Sequence, residues 1–70
     1  MQIAITRAHT YKLEHGNLIS NGEYFRPQPN ASGVAVAAVD TPDGDRIAVQ
    51  ATSGHLMILE PGAREWVCKG

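Results

Sequence analysis

Two apolar segments separated by a turn sequence constrain the fold of this chain more than any other feature. Residues 33–40 and 46–52 are rich in valine and alanine, and they flank Thr41-Pro42-Asp43-Gly44-Asp45. Proline presets φ at the first turn position, aspartate suits the second, and glycine accepts a left-handed conformation. The pattern therefore predicts an antiparallel hairpin with a three-residue loop, in which Asp40 faces Arg46.

Further turn signals in the second half predict more strands of the same kind. Ser53-Gly54 and Pro61-Gly62-Ala63 each follow an apolar run. A loop at the second of these places Ile58 opposite Trp66, as a favourable cross-strand pair of an aliphatic and an aromatic side chain. Residues 33–69 are therefore predicted to form a four-stranded meander. Its central strands are apolar on both faces, so both faces need cover.

The first half alternates with a period of two residues between Ile3 and His15. This pattern predicts either one long bent strand or two strands broken near residues 7–9. No window keeps a period of 3.6 residues, so no helix is expected.

Asn21-Gly22 is a strong signal for a two-residue hairpin turn. The expected pairs across it are Ile19 with Tyr24 and Leu18 with Phe25. Residues 26–33, which contain two prolines, are predicted to form an exposed loop that joins the two halves.

Taken together, the patterns predict an all-β fold and a single domain over residues 1–70. The expected architecture is a small antiparallel meander of about five to seven short strands that closes into a barrel or a sandwich. A chain of 70 residues has a thin core for its length. Association with a second copy or with a partner is therefore expected to help it.

Charge and cysteine content restrict the classes of partner and compartment. The net charge is −1, only 19% of residues are charged, and the pI is near 6.2. A dedicated nucleic-acid binder usually carries a basic stripe and a high pI, so nucleic acid is a weaker expectation. The single cysteine, Cys68, excludes an internal disulfide and favours a reducing compartment. No signal peptide or membrane span is predicted, so the expected location is the cytoplasm, without a membrane partner.

No residue pattern predicts a metal site, a cofactor or a catalytic centre. The soft metal ligands are His9, His15, His55 and Cys68, which lack the close spacing of zinc ligands. The Asp-Thr-Pro-Asp-Gly-Asp sequence resembles a calcium loop in composition, but it lacks the later bidentate glutamate and is explained by the turn. We therefore expect no catalytic residues, no metal and no cofactor, and the chain is not predicted to be an enzyme.

The one predicted binding patch combines aromatic and basic residues: Tyr24, Phe25 and Arg26, with Arg7 and Lys12. Tyrosine and arginine are enriched in protein interfaces. Exposed aromatics beside cations also suit single-stranded nucleic acid. Adjacent Tyr24 and Phe25 point to opposite faces of a strand, so only one of them is expected to be exposed.

The leading functional hypothesis is a non-enzymatic protein-binding module, such as a small inhibitor or accessory protein of a phage or mobile element. It follows from the short length, the near-neutral charge and the absence of catalytic groups in the sequence. One alternative is a small β-barrel that binds nucleic acid. The other is a structural subunit, a homo-oligomer that assembles by pairing of sheet edges.

Overall fold

The computed structural model describes residues 2–20 and 32–69, together with the backbone of residues 23–25. This part of the chain contains no helix and forms eight strands, one more than the largest number expected. The strands are β1 (Gln2–Ile5), β2 (Thr10–Glu14), β3 (Asn17–Ser20), β4 (Glu23–Phe25), β5 (Gly33–Thr41), β6 (Gly44–Ala51), β7 (Leu56–Leu59) and β8 (Val67–Lys69). They form two antiparallel sheets, in the orders β1-β2-β3-β4 and β5-β6-β7-β8. The all-β prediction is confirmed. No strand ladder joins the two sheets in the described part of the chain, so a closed barrel is not observed.

The first half contains two strands rather than one long one. β1 and β2 are joined by a loop over residues 6–9, in which the Thr6 amide donates to the His9 carbonyl at 2.9 Å. β2 and β3 are joined by His15-Gly16, whose φ angles of 54° and 80° are both positive. A type I′ turn requires that combination.

The predicted pairing of β3 with β4 is confirmed, because Leu18 lies opposite Phe25 and Ile19 opposite Tyr24. The Asn21-Gly22 turn that suggested it lies outside the described residues.

The hairpin of β5 and β6 is confirmed, but its predicted register is wrong by one residue. Thr41 pairs with Gly44, so Asp40 lies opposite Asp45 and not opposite Arg46. The loop is shorter than expected because the Thr41 hydroxyl donates to the Gly44 carbonyl at 2.6 Å and accepts from the Asp43 amide at 3.3 Å. These bonds close the turn around Pro42 and Asp43 alone.

The pairing of β7 with β8 is also shifted by one residue. Ile58 lies opposite Val67, and Trp66 precedes the strand. Trp66 is half-buried and packs against the core. Arg46 does not lie opposite Asp40, where it was expected. Its Nε instead lies 3.3 Å from Oε1 of Glu60.

Both sheets contribute to one hydrophobic core. Its buried members are Tyr11, Leu13, Leu18, Ile47, Val49, Ala51 and Met57. Strands β1 and β2 contact β5 where the sheets meet. Gly33 allows the close approach, because a Cβ at this position would lie 2.8 Å from a Val49 methyl and 2.9 Å from a Leu13 methyl.

Part of the predicted loop over residues 26–33 is corrected by the structure. Gly33 is the first residue of β5, since its amide is held by the Gly16 carbonyl at 2.9 Å and it lies opposite Ala51. Ser32 is exposed. Residues 26–31 lie outside the described part of the chain. Among the described residues, no helix has the length and apolar character needed to cross a membrane.

Candidate functional site

The outer face of the first sheet carries large apolar side chains that the second sheet does not cover. Since Tyr11, Leu13 and Leu18 point into the core, the alternate positions of the same strands point away from it. The row that results runs from Ile3 to Lys12, Ile19 and the position of Tyr24. Ile5 continues this face on β1, opposite Thr10. We call these residues the first-sheet face.

The two isoleucines that β1 contributes to the first-sheet face are highly exposed. Ile3 is 54% exposed and Ile5 is 72% exposed. A single exposed apolar residue is ordinary on a protein surface, whereas adjacent ones on one strand form a patch of the kind found in interfaces. The first-sheet face therefore suits contact with another apolar surface.

The structure brings together two of the five residues of the predicted binding patch. The positions of Lys12 and Tyr24 fall in the same row of the backbone register, two strands apart. Phe25 lies opposite Leu18 in the strand register. Arg7 is exposed in the loop between β1 and β2, and its amide donates to Asp40 Oδ1 at 3.0 Å. Arg26 lies outside the described residues.

The charge on this face is balanced rather than basic. Lys12 Nζ lies 3.3 Å from Glu14 Oε2, and both side chains are about two-fifths exposed, at 42% and 39%. An exposed pair of this kind contributes little to stability, because water screens it. Its consequence here is that Lys12 adds no net positive charge to the surface around Ile3.

A second arrangement, which the sequence patterns did not suggest, surrounds Asp45 on β6. Its Oδ2 accepts a hydrogen bond from the Thr6 hydroxyl at 2.6 Å and another from the Tyr11 hydroxyl at 2.5 Å. Nδ1 of His9 lies 3.4 Å from the same oxygen. We call these four residues the Asp45 cluster. It links the first sheet and its 6–9 loop to the second sheet.

Two ionisable groups of the Asp45 cluster are perturbed. The hydrogen bonds from Thr6 and Tyr11, followed by the smaller effect of His9, hold the pKa of Asp45 below its usual value. Burial, followed by the hydrogen bond to Asp45 and its negative charge, raises the pKa of Tyr11. The cluster is therefore an ionised carboxylate held by a neutral phenol.

A pocket of about 210 Å³ opens beside the Asp45 cluster. Its polar lining comprises His9, Tyr11, Asp45 and Glu60, and its apolar lining includes Ile47, Leu59 and Pro61. Among the described residues that line it there is no serine, threonine or cysteine to act as a nucleophile. The geometry offers a charged, partly apolar recess rather than a nucleophile beside a base.

His15, His55 and Cys68 lie outside the Asp45 cluster and outside the lining of its pocket. His55 Nδ1 lies 2.9 Å from the Ser53 hydroxyl in the turn before β7. Cys68 is an exposed free thiol on β8. In the described part of the chain, no group of three or more histidine, cysteine, aspartate or glutamate side chains is arranged to hold a metal.

Sequence reasoning missed the Asp45 cluster because its members are far apart along the chain. Asp45 is separated from Tyr11 by 34 residues and from Thr6 by 39. Turn composition alone explained Asp45 in the sequence. Only the packing of one sheet on the other turns this residue into an acceptor for the first sheet.

Comparison of the chain with protein-family models, with curated proteins and with solved structures finds no significant match.

Proposed function

We propose that this protein is a non-enzymatic protein-binding module that contacts its partner through the first-sheet face. The observation that carries the proposal is the exposure of Ile3 and Ile5, at 54% and 72%, next to each other on one strand. Burying either side chain against a partner contributes about 1.5–3 kcal/mol. A small inhibitor or accessory protein, of the sort that phages and mobile elements encode, acts through such a surface.

The proposal includes an arrangement of two layers. We infer that the sheets form a small open sandwich, because residues of both supply one core and no ladder joins them in the described part of the chain. An open sandwich has two outer faces, and Ile5 of β1 is the most exposed of the large apolar side chains in the described part of the chain, at 72%. A reducing, cytoplasmic setting is part of the same proposal, since Cys68 is an exposed free thiol.

Nucleic acid binding is the weaker alternative. Phosphate recognition depends on uncompensated lysine and arginine side chains. On the first-sheet face, Lys12 is paired with Glu14, and nearby Asp40 bonds to the backbone of Arg7. These carboxylates offset the positive charge that phosphates require.

Assembly by pairing of sheet edges is the other alternative, and one observation favours it. β5 lies at one edge of the second sheet, and although β1 and β2 contact part of this strand, its Val34 and Val39 are 49% and 59% exposed. Exposed apolar edge strands are prone to pair with another chain. A mass that rises with concentration in sedimentation would support this alternative over a heterologous partner.

The test is affinity capture from a lysate of the cells that carry the gene. The bait proteins are the wild type, Ile5→Lys, and Val67→Lys as a matched control on the second sheet, where Val67 is 51% exposed. We expect the wild type and the control to retain one protein in equal amount and Ile5→Lys to lose it at least about tenfold, since burying a lysine charge costs more than 1.4 kcal/mol.

Two results would contradict the proposal. One is equal retention by all three baits, which would place the partner elsewhere on the surface. The other is retention of a single-stranded oligonucleotide that weakens steeply with salt and is unaffected by Ile5→Lys, which would favour the nucleic-acid reading. Unfolding of the three baits in urea keeps the comparison valid, because exposed substitutions are expected to change stability by about 0.5 kcal/mol or less.

A further inference from the structure

The pocket beside the Asp45 cluster contains a carboxylate that no lysine or arginine of the described residues contacts. The side chain of Asp45 is 8% exposed. Its described partners within hydrogen-bonding distance are two neutral hydroxyls and one imidazole. No lysine or arginine among the described residues lies within 4.0 Å of it. Buried carboxylates are usually paired with a cation.

Glu60, the other acid of the pocket, has a partner already. Arg46 Nε lies 3.3 Å from Glu60 Oε1, and the two side chains are half exposed, at 49% and 50%. Arg46 therefore neutralises the rim of the pocket but not its interior. Among the described residues, no lysine or arginine side chain pairs with Asp45.

The size and the walls of the pocket restrict what it can take. A volume of about 210 Å³ is smaller than the roughly 300–1,000 Å³ of sites for drug-sized ligands. Ile47, Leu59 and Pro61 offer apolar contact beside the carboxylate. An aliphatic stem with a cationic tip satisfies both features, because such side chains bury the stem and charge-pair the tip.

We propose that this pocket receives one lysine or arginine side chain of a partner protein, with the cationic tip directed at Asp45. This inference rests on the proposed protein-binding function and identifies the chemistry of one contact. The positions agree, since the exposed Ile5 precedes the pocket-lining Ala8 by three residues. Three residues span at most about 11 Å, so one partner reaches both the first-sheet face and the pocket.

The test uses small probes and needs no partner protein. Its outcome is therefore independent of the outcome of the capture experiment. Uniformly ¹⁵N-labelled protein is titrated with N-acetyl-lysine amide, N-acetyl-arginine amide and, as the neutral counterpart, N-acetyl-norleucine amide. We expect saturable shifts of the amide signals of Gly44, Gly62 and Ala63 with at least one cationic probe. The neutral probe is expected to bind at least tenfold more weakly.

Three variants locate the effect. Asp45→Asn is expected to weaken the cationic probe at least tenfold. Asp43→Asn, the matched control, removes the same charge from the exposed turn outside the pocket and is expected to change affinity less than twofold. Ala63→Phe fills the pocket without altering Asp45, and it is expected to abolish the shifts even if Asp45→Asn folds poorly.

Several results would overturn the inference. They are equal shifts with the norleucine probe, shifts that grow linearly without saturation, and equal weakening by Asp45→Asn and Asp43→Asn. Binding that survives Ala63→Phe would also overturn it. If the cationic probes bind but no partner is captured, the pocket is supported as a site for a cationic side chain, and the proposed protein-binding function is contradicted.

Discussion

The hydroxyl of Tyr11 donates a 2.5 Å hydrogen bond to Asp45 across the boundary between the two sheets. Tyr11 belongs to β2 and is 3% exposed, whereas Asp45 belongs to β6 of the other sheet. A bond to an ionised acceptor is stronger than one between neutral groups. This pair therefore fixes the position of one sheet on the other at the end of the molecule that holds the pocket.

Tyr11→Phe is expected to destabilise the fold by about 1.5–3 kcal/mol, the usual contribution of a hydrogen bond to a charged group. The ring stays in the core and only the donor is removed. The measurement is urea unfolding followed by circular dichroism. Ser53→Ala is the control, since it removes an exposed hydroxyl that bonds within its own turn. A Tyr11→Phe variant as stable as the wild type would show that the bond does not hold the sheets.

The lowered pKa of the Asp45 carboxyl predicts that the folded protein loses stability in acid. The pKa of this carboxyl in the folded state lies below the usual value of an aspartate, because the Thr6 and Tyr11 hydroxyls donate hydrogen bonds to the carboxylate. The unfolded chain therefore takes up a proton at a higher pH than the folded one. The stabilisation is complete above that value and is lost as pH falls through the folded-state pKa. Acid should thus narrow the difference in unfolding free energy between wild type and Asp45→Asn.

Urea unfolding at pH values from about 2 to 5 measures this difference. Asp43→Asn is the matched control for removing one carboxylate, and it should retain the acid-dependent loss of the wild type. A constant difference between wild type and Asp45→Asn over this range would show that the Asp45 carboxylate is not specifically stabilised in the folded state.

Gly33→Ala is expected to destabilise the protein by about 1–3 kcal/mol, the usual effect of overpacking. The added methyl would lie 2.8 Å from Val49 and 2.9 Å from Leu13. These side chains belong to opposite sheets, so the variant pushes the sheets apart. Ser32→Ala, at the exposed neighbouring position, serves as the control in thermal unfolding. Equal melting temperatures for the two variants would mean that the sheets do not meet at Gly33.

Trp66→Ala should cost about 2 kcal/mol, less than the roughly 3–5 kcal/mol of an aromatic buried in a core. The reason is that Trp66 is half-buried and packs against the core from one side. Val67→Ala is the control, because Val67 is exposed. Urea unfolding of both variants decides the point, and an unchanged stability for Trp66→Ala would assign this ring to the binding surface.

Local patterns predicted the strands well but left their registers open. The Asn21-Gly22 signal gave the correct pairs because a two-residue loop leaves little choice of register. Thr41-Pro42-Asp43-Gly44-Asp45 fits both a two-residue and a three-residue loop. The Thr41 hydroxyl decides between them. A shift of one residue changes every cross-strand pair, which is why Arg46 meets Glu60 and not Asp40.

The period-two alternation of the first half also did not predict which residues of β1 and β2 lie together on the first-sheet face. Ile5 and Tyr11 share one parity in the sequence, yet Ile5 is 72% exposed and Tyr11 is 3% exposed. The 6–9 loop pairs Ile5 with Thr10, so odd positions of β1 lie on the same face as even positions of β2. Periodicity identifies each strand separately, but the loop sets which of its faces is covered.

Site-specific photo-crosslinking in living cells is the most direct test of the first-sheet face as a partner-binding surface. A benzophenone amino acid is placed at Ile5 in one variant and at Val67 in a second. We expect one discrete heterologous adduct from position 5 and none from position 67. Equal adducts from both positions, or an adduct from position 5 containing only a second copy of this chain, would contradict it.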